Sequence, residues 1–196
     1  MTHKKFVVSG LFGVTVRGYA LWSYFPLWIR VNGEKQRNPA FDQNSQHILN
    51  LKQPGSRYYA PSLKYCAQHL FLFLKNDIKV DQAEFLIIPS SQKGATSSAL
   101  QSIVEAICKK DARFTHRPSS LTRTSTIEKL AKGGDRSLNI HLESLDYKPG
   151  GPSIKIILDD VTTSGNSLTG AMTIVTQYEQ GAQFIPIVFG KTTHDF

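Results

Sequence analysis

The stretch IKIILDDVTTSGNSLTGA, residues 154–171, decides the fold of this protein. Four of its first five residues are apolar, the adjacent carboxylates Asp159 and Asp160 follow, and hydroxyl residues and a glycine then lead into a helical pattern at Leu168 and Ala171. A short apolar run bounded by a polar turn predicts a buried strand. Carboxylates are seldom buried without a partner, and adjacent like charges repel. The pair therefore indicates a binding site at the end of that strand.

The flanking sequence repeats this alternation of strand and helix. Short apolar runs at 85–91 and 184–190 predict two further strands, and helical spacing predicts one helix from Pro61 onward and another around residues 100–107. The positions that carry the three helical patterns are Leu63, Cys66, Ala67, Leu70 and Leu74; Leu100, Ile103, Val104 and Ile107; and Leu168, Ala171, Met172 and Val175. Apolar strands that alternate with helices indicate an α/β fold with a mostly parallel sheet covered by helices on both faces.

Two segments stand apart from this core. Residues 4–32 are rich in aromatic and β-branched residues and predict two or three antiparallel strands, while 34–57 form a connection with a short helix around Ser45–Leu51. Residues 118–137 carry no hydrophobic face and predict a long mobile excursion, a feature that often serves as a lid. We therefore expect an N-terminal antiparallel β appendage over 1–57, a core over 58–196, and an excursion over 118–140.

Composition excludes several classes of protein. With 196 residues, 40% hydrophobic and 19% charged, the chain is typical of one soluble globular domain, and it has no apolar run long enough for a membrane span. Cys66 and Cys108 are too isolated for a zinc site or a disulfide framework, and the six histidines are scattered. The first residues resemble the start of a signal peptide, but Gly10 and Gly13 interrupt the apolar run, so we expect a cytoplasmic protein with no membrane partner.

The net charge of +8 is concentrated in the first part of the chain. Residues 1–80 hold 11 basic and 3 acidic residues, whereas residues 81–196 hold 12 of each. A basic surface of this kind favours a polyanion such as DNA or RNA, or alternatively only keeps the protein soluble. Five aromatic residues in the same part are candidates for stacking on bases, for core packing or for a subunit interface, which would make a homodimer or a larger assembly: Tyr19, Trp22, Tyr24, Phe25 and Trp28.

Two loops are expected at the carboxyl ends of the parallel strands, where ligands of such sheets bind. They are PSSQKG at 89–94 and DDVTTSGNS at 159–167. A strand, a turn of hydroxyl residues with Gly165 and then a helix form a phosphate cradle, because backbone N–H groups and the helix N-terminus converge on one point. A phosphate cradle beside two carboxylates fits a sugar phosphate, whose hydroxyls or associated Mg²⁺ the carboxylates would hold.

The second loop carries a family resemblance. ILDDVTTSG resembles the signature for 5-phosphoribosyl pyrophosphate (PRPP) in type I phosphoribosyltransferases. LTRTSTIEKLAKGGDRSLNI at 121–140 and FDQNSQHILNLK at 41–52 are similar to segments of ComF-type phosphoribosyltransferase-like proteins. The chain lacks the cysteine-rich zinc ribbon often found in that group, its loop at 89–94 is only loosely similar, and its excursion is less basic. The resemblance implies a type I phosphoribosyltransferase fold.

The resemblance also implies roles for single residues. Asp159 and Asp160 would hold the ribose hydroxyls, and would contribute to a Mg²⁺ site through water and ligand. Arg123 and Arg136, with Lys129 and Lys132, would close over the reacting centre. The residues expected around the 5-phosphate are Val161, Thr162, Thr163, Ser164, Gly165, Asn166 and Ser167, and those expected on the pyrophosphate side are Ser90, Ser91, Gln92 and Lys93.

Two functions remain open at this point. The first is an enzyme that uses PRPP and Mg²⁺ to transfer a phosphoribosyl group to a base with release of pyrophosphate. The second is a phosphoribosyltransferase-like binding or regulatory module with weak or no turnover, within an assembly for DNA uptake, mobile elements or defence. A third and weaker hypothesis is a basic nucleic-acid-binding protein with a vestigial pocket.

Overall fold

A computed structural model describes residues 3–9, 15–128 and 137–193. The helices are α1 (Gln43–Asn50), α2 (Tyr59–Asp77), α3 (Ser98–Lys110), α4 (Leu138–Ser144) and α5 (Asn166–Tyr178). The strands are β1 (Lys4–Ser9), β2 (Thr15–Tyr24), β3 (Trp28–Val31), β4 (Glu34–Arg37), β5 (Ala83–Ile87), β6 (Phe114–His116), β7 (Leu121–Arg123), β8 (Leu145–Tyr147), β9 (Ile154–Thr162) and β10 (Gln183–Thr192). Every helix and strand predicted from periodicity is present. The elements α4, β4 and β6–β8, each seven residues or shorter, carried too little pattern to be predicted, and β4 lies in the segment that was expected to be a connection.

The central sheet has six strands in the order β1-β2-β10-β9-β5-β6. Strands β2, β10, β9, β5 and β6 run parallel, and only the edge strand β1 is antiparallel to its neighbour. The predicted α/β fold with a mostly parallel sheet is confirmed. Because the parallel strands point the same way, the loops that follow β5 and β9 meet at one edge of the sheet, beside the carboxyl end of β10.

Helices cover both faces of the sheet. Along β9, Ile156 and Leu158 pack among buried residues of α1, α2 and α3, whereas the intervening Ile157 packs among residues of α5. This alternation follows from the period of two along a strand. For the same reason, the side chains of consecutive residues at the end of β9 lie on opposite faces of the sheet.

The N-terminal strands extend the central sheet. β1 and β2 form the predicted antiparallel hairpin, and β2 pairs with β10, with Tyr19 opposite Ile187 and Trp22 opposite Gly190. β3 and β4 form a second hairpin outside the central sheet, closed by Asn32 and Gly33 in the left-handed conformation that such tight turns require. The predicted short helix is α1.

Part of the predicted excursion is packed against the core. β7 pairs with β8, and Leu121 and Ile127 are buried, although the sequence showed no hydrophobic face there. Two apolar residues with no other apolar residue between them are too few to define a period, so their burial left no periodic signal. Residues 129–136 of the excursion lie outside the described residues. Among the helices that the structure describes, none is long and apolar enough to cross a membrane.

Candidate functional site

A cleft of about 460 Å³ lies at the carboxyl edge of the sheet. Asp159 and Asp160 line it together with the loop after β5, with Arg123 from β7 and with the start of α5. Residues of the N-terminal part, including Tyr24 and Lys52, form another wall. The structure therefore brings together the acidic pair and both loops that the sequence predicted.

The two carboxylates have different surroundings because they follow opposite faces of β9. Asp160 continues the face of Ile156 and Leu158, and its Oδ2 lies 2.8 Å from Lys52 Nζ. Asp159 Oδ1 accepts a hydrogen bond from the backbone N–H of Asp160 at 2.8 Å, and Asp159 forms no ion pair with any residue in the described ranges. The acidic pair thus consists of one paired and one unpaired carboxylate, and Glu128 is a third carboxylate in the cleft lining.

The pKa values reflect this difference. Burial, followed by repulsion from Asp160, raises the pKa of Asp159 well above its ordinary value. Burial lowers the pKa of the Lys52 ammonium, but its hydrogen bond and attraction to Asp160, with smaller contributions from Tyr24 and Asp159, together outweigh burial and raise the pKa above the ordinary value. Burial also raises the pKa of the Tyr24 hydroxyl beside them. A ligand that brings hydroxyl donors or a cation to Asp159 would stabilise its charged form.

The predicted phosphate cradle occupies the turn from β9 to α5. Gly165 is the N-cap residue of α5 and has φ +87°, a left-handed conformation that L side chains rarely adopt. Gly165 has no side chain to cap the helix, the Asn166 N–H donates to the Ser164 hydroxyl at 3.4 Å, and the first turn of α5 has no acidic residue. A hollow of about 90 Å³ lies there, lined by the seven predicted residues 161–167 and His141. Val161, Thr163, Ser167 and His141 also line the main cleft, so the hollow opens beside the acidic pair.

Contacts from β10 hold this turn in place. Lys191 Nζ donates to the backbone carbonyl of Thr163 at 3.0 Å, and the Thr163 and Thr192 hydroxyls are hydrogen-bonded at 3.1 Å. The amide of Thr169 donates to the carbonyl of Gly165 at 2.9 Å, which is the first turn of α5. These contacts fix the backbone while leaving its helix start directed at the hollow, which is the arrangement that binds anions in other proteins.

The predicted pyrophosphate-side loop is closed by its own hydrogen bonds and by the excursion. Ser90 N–H donates to the carbonyl of Ala95, and Lys93 N–H donates to the Thr126 hydroxyl at 3.1 Å. The carbonyl of Ser91 accepts from Ile127 N–H at 2.8 Å. Of the four predicted residues, Ser91 lines the cleft; Ser90, Gln92 and Lys93 do not.

Arg123 lies in the cleft wall, almost completely buried. Its Nε donates to the carbonyl of Ser90 at 2.7 Å, and its Nη1 donates to the hydroxyl of Ser144. Burial lowers the pKa of the guanidinium, and the charge of Asp159 acts in the opposite direction. Arg123 therefore joins the pyrophosphate-side loop to α4. Arg136, Lys129 and Lys132, which were predicted to close over the centre, lie outside the described residues.

The acidic pair is the candidate holder of Mg²⁺. No group of three or more His, Cys, Asp or Glu side chains within the described ranges is placed to hold a metal ion. Mg²⁺ commonly binds through one or two carboxylates, with water and substrate phosphates completing the shell. An unpaired carboxylate with a raised pKa fits such an ion, so Asp159 fits the predicted indirect metal site better than Asp160, which Lys52 neutralises.

Several residues of the site were not singled out from the sequence, among them Lys52, Glu128, His141 and, as a cleft residue, Tyr24. Lys52 ends the segment 41–52 that resembles the ComF group, so a weak signal for it existed. His141 lies in α4 and lines both the cleft and the hollow, which depends on how α4 packs against α5. No local pattern could have indicated it.

Comparison of the chain with protein-family models and with curated proteins found no match.

Proposed function

We propose that this protein binds PRPP, or a related ribose phosphate, together with Mg²⁺, and transfers the phosphoribosyl group to a base with release of pyrophosphate. The observation that carries this proposal is the connection of two different sites in one cleft. The unpaired Asp159 and its neighbour Asp160 lie beside a helix start whose hollow is lined by residues 161–167. A ribose 5-phosphate presents a diol and a phosphate within one small molecule, so it has one group for each of these two sites.

Different residues of the cleft would bind different parts of the ligand. The backbone amides at the start of α5, with the hydroxyls of Thr163 and Ser167, would hold the 5-phosphate. The carboxylates of Asp159 and Asp160 would accept hydrogen bonds from the ribose hydroxyls, and such charge-assisted bonds are stronger than neutral ones. Held at both ends, the ribose would present C1 towards the open part of the cleft.

The reaction itself needs alignment and charge balance more than a nucleophilic side chain. The bond from C1 to the pyrophosphate oxygen breaks, pyrophosphate leaves with the electron pair, and a nitrogen of the base forms the new bond to C1 while its proton is lost. Positive charge develops on the ribose, and the carboxylates at its hydroxyls would stabilise it electrostatically. Mg²⁺, when bound, would supply positive charge that neutralises the leaving pyrophosphate. The buried Arg123 would hold the loop at 89–95 and α4 in fixed relative positions during the transfer.

The test of ligand binding is calorimetric titration of PRPP in the presence of Mg²⁺. We expect saturable binding that Asp160→Asn weakens about tenfold or more, the scale of a lost charged hydrogen bond. Asp81→Asn is the matched control, because Asp81 is an exposed carboxylate just before β5, at the other edge of the sheet. Unchanged affinity in Asp160→Asn, with its thermal unfolding unaltered, would remove the acidic pair from the site.

A second candidate, a module that holds the ligand without turnover, is favoured by the state of the pyrophosphate-side loop. The N–H groups of Lys93 and Gly94 donate to Thr126 and to the carbonyl of Arg123, and the Arg123 guanidinium donates to protein oxygens. Groups engaged in this way would have to exchange partners before they could bind pyrophosphate.

Isotope-labelled PRPP separates the two candidates. The enzyme predicts release of labelled pyrophosphate in the presence of one of the common purine or pyrimidine bases. Binding of PRPP with Mg²⁺ but no release with any base tested would establish the binding module instead.

A further inference from the structure

The hairpin of β3 and β4 has two chemically different faces. Its register places Trp28 opposite Arg37 and Arg30 opposite Lys35. Because directly opposite residues of an antiparallel pair share a face, and because positions two apart along a strand share it as well, these four side chains lie together. The other face carries Ile29, Val31, Glu34 and Gln36. We call the face with Trp28, Arg30, Lys35 and Arg37 the basic face.

The basic face is directed to solvent. All four of its residues are exposed, and Trp28 retains 51% of its accessible surface. On the opposite face Ile29 is half-buried, and the other three residues are exposed. Lys35 Nζ lies 4.7 Å from the centroid of the Trp28 ring, which confirms that the cations and the indole share one face.

The arrangement is electrostatically unfavourable in isolation. Like charges directly opposite each other destabilise an antiparallel pair, and Arg30 and Lys35 are such a pair. None of the three cations forms an ion pair with a residue in the described parts of the chain. The only acidic residue of the hairpin, Glu34, lies on the other face. A polyanion would relieve this repulsion.

The surroundings of Trp28 differ from those of Trp22 and Tyr19, two other aromatic residues of the N-terminal part. Trp22 stacks on Tyr65 and Phe189, and Tyr19 contacts Phe73, so these two residues serve core packing. Trp28 has no aromatic partner among the described residues and presents its ring beside three cations. A large exposed ring with surrounding positive charge is the combination that binds a planar base and its phosphates.

We propose that the basic face binds single-stranded nucleic acid. Trp28 stacks on an unpaired base, and Arg30, Lys35 and Arg37 contact the phosphates on either side of it. A duplex does not offer a free base face to the indole, so the tryptophan specifies a single strand. This binding is separate from the cleft and goes beyond the proposed transfer reaction.

The test is fluorescence anisotropy of a short labelled oligothymidylate titrated with the full chain over a series of salt concentrations. We expect the affinity to fall steeply with salt, and Trp28→Leu to weaken it about tenfold through loss of stacking. Arg30→Gln with Arg37→Gln should reduce the slope of log affinity against log salt by about 1.4, at about 0.7 per lost phosphate contact. The same variants should bind PRPP as the unmodified protein does.

Two controls match these variants. Val31→Ala changes an exposed apolar residue on the other face of the same hairpin, and Lys75→Gln with Lys109→Gln removes two exposed cations from α2 and α3. Both should leave the affinity and the salt slope within error. Three results would overturn the proposal: no binding to the single strand at low salt, equal losses in the control variants, or equal binding to a duplex of the same length with no effect of Trp28→Leu.

Discussion

Lys155 and Asp159 lie on the same strand and the same face, four residues and therefore about 13 Å apart, yet their surroundings are opposite in character. Lys155 is near the amino end of β9 and Asp159 near the carboxyl end. The Lys155 ammonium forms ion pairs with two carboxylates, those of Glu84 and Glu179. Asp159 has an adjacent like charge and no ion pair with a described residue.

The amino end holds a neutral, closed network. Lys155 Nζ lies 2.8 Å from Glu84 Oε2 and 3.1 Å from Glu179 Oε2, and it donates to the carbonyl of Gly150 at 2.6 Å. Arg117 Nε donates to the other oxygen of Glu84 at 2.7 Å. Tyr147 donates to Glu179 at 2.8 Å. Two cations therefore meet two carboxylates, which is the condition for burying charge without a ligand.

The carboxyl end lacks this closure. One lysine, itself half-exposed, meets one of two adjacent carboxylates, and the pKa of the other is raised by burial and repulsion. Functional sites commonly retain such unfavourable arrangements, because the ligand supplies the missing partner. The comparison teaches that a buried charge does not by itself indicate a binding site. A buried charge indicates a site when no group of the protein compensates it.

The largest effect on folding is expected at the closed network. Lys155→Met removes the fully buried ammonium from both Glu84 and Glu179 and leaves Glu84 with Arg117 alone, which should lower the free energy of unfolding by about 3–5 kcal/mol. Urea unfolding followed by circular dichroism measures this. Adding Glu84→Gln to Lys155→Met should recover part of the loss, and a loss below about 1 kcal/mol in the single variant would contradict the buried network.

Two glycines with positive φ extend the comparison to the backbone. A Cβ at Gly151 would lie 2.7 Å from Glu84 Oε2, whereas a Cβ at Gly165 would meet nothing within 4 Å. Gly165→Ala should therefore cost only the backbone strain, about 1–2 kcal/mol, and Gly151→Ala should cost about 3 kcal/mol because overpacking is added. Thermal and urea unfolding of both variants give the stability order.

Binding should show the reverse order for these glycines. Gly165→Ala disturbs the helix start at the hollow and should weaken PRPP binding, while Gly151→Ala should leave the affinity unchanged at a temperature where it is folded. Equal affinities in the two variants would contradict the assignment of the hollow to phosphate.

Asp159→Asn is expected to stabilise the protein while it impairs the site. Removing the unpaired charge relieves repulsion from Asp160 and should raise the free energy of unfolding by about 0.5–2 kcal/mol, the usual gain when a functional site is relaxed. PRPP affinity should fall about tenfold or more, since a charged acceptor is lost. Measuring stability and affinity on the same preparation checks both, and a loss of stability would show that Asp159 serves the fold.

The pH dependence of that stabilisation has a definite sign. The pKa of Asp159 is higher in the folded protein than its unfolded value of about 3.9, so between the two values the folded state binds more protons. The stability of the unmodified protein therefore declines as pH rises through the folded pKa. The gain from Asp159→Asn should be small near the unfolded pKa and largest above the folded one. A gain that is independent of pH would contradict this origin.

The smallest effect is expected for Lys52→Gln. Lys52 and Lys155 each lie 2.8 Å from a carboxylate oxygen, but the Lys52 side chain is 50% exposed and the Lys155 side chain is fully buried. Solvent screens the exposed pair, so its loss should cost less than about 1 kcal/mol in urea unfolding. A cost comparable to that of Lys155→Met would show that distance, not burial, decides the contribution of the pair.

Local patterns predicted most of the sheet, four of the helices and the turn from β9 to α5, because β5, β9, β10 and the amphipathic helices have clear periods and the turn is marked by its hydroxyl residues and Gly165. The same patterns missed the closed network. Glu84 and Lys155 stand 71 positions apart, and each precedes or interrupts an apolar run without any feature that marks its partner. They also missed α4, whose seven residues are too few for a reliable period.

The sequence by itself determined that an acidic pair follows a buried strand and precedes a glycine turn and a helix, because these features depend on neighbours along the chain. Only the tertiary structure decided which charges are compensated. Strand register brings Glu84 to Lys155, the α1–α2 connection brings Lys52 to Asp160, and hairpin register gathers Trp28 with three cations on one face. The physical reason is that charge interactions act through space over a few ångströms, and only the fold determines which distant residues come that close.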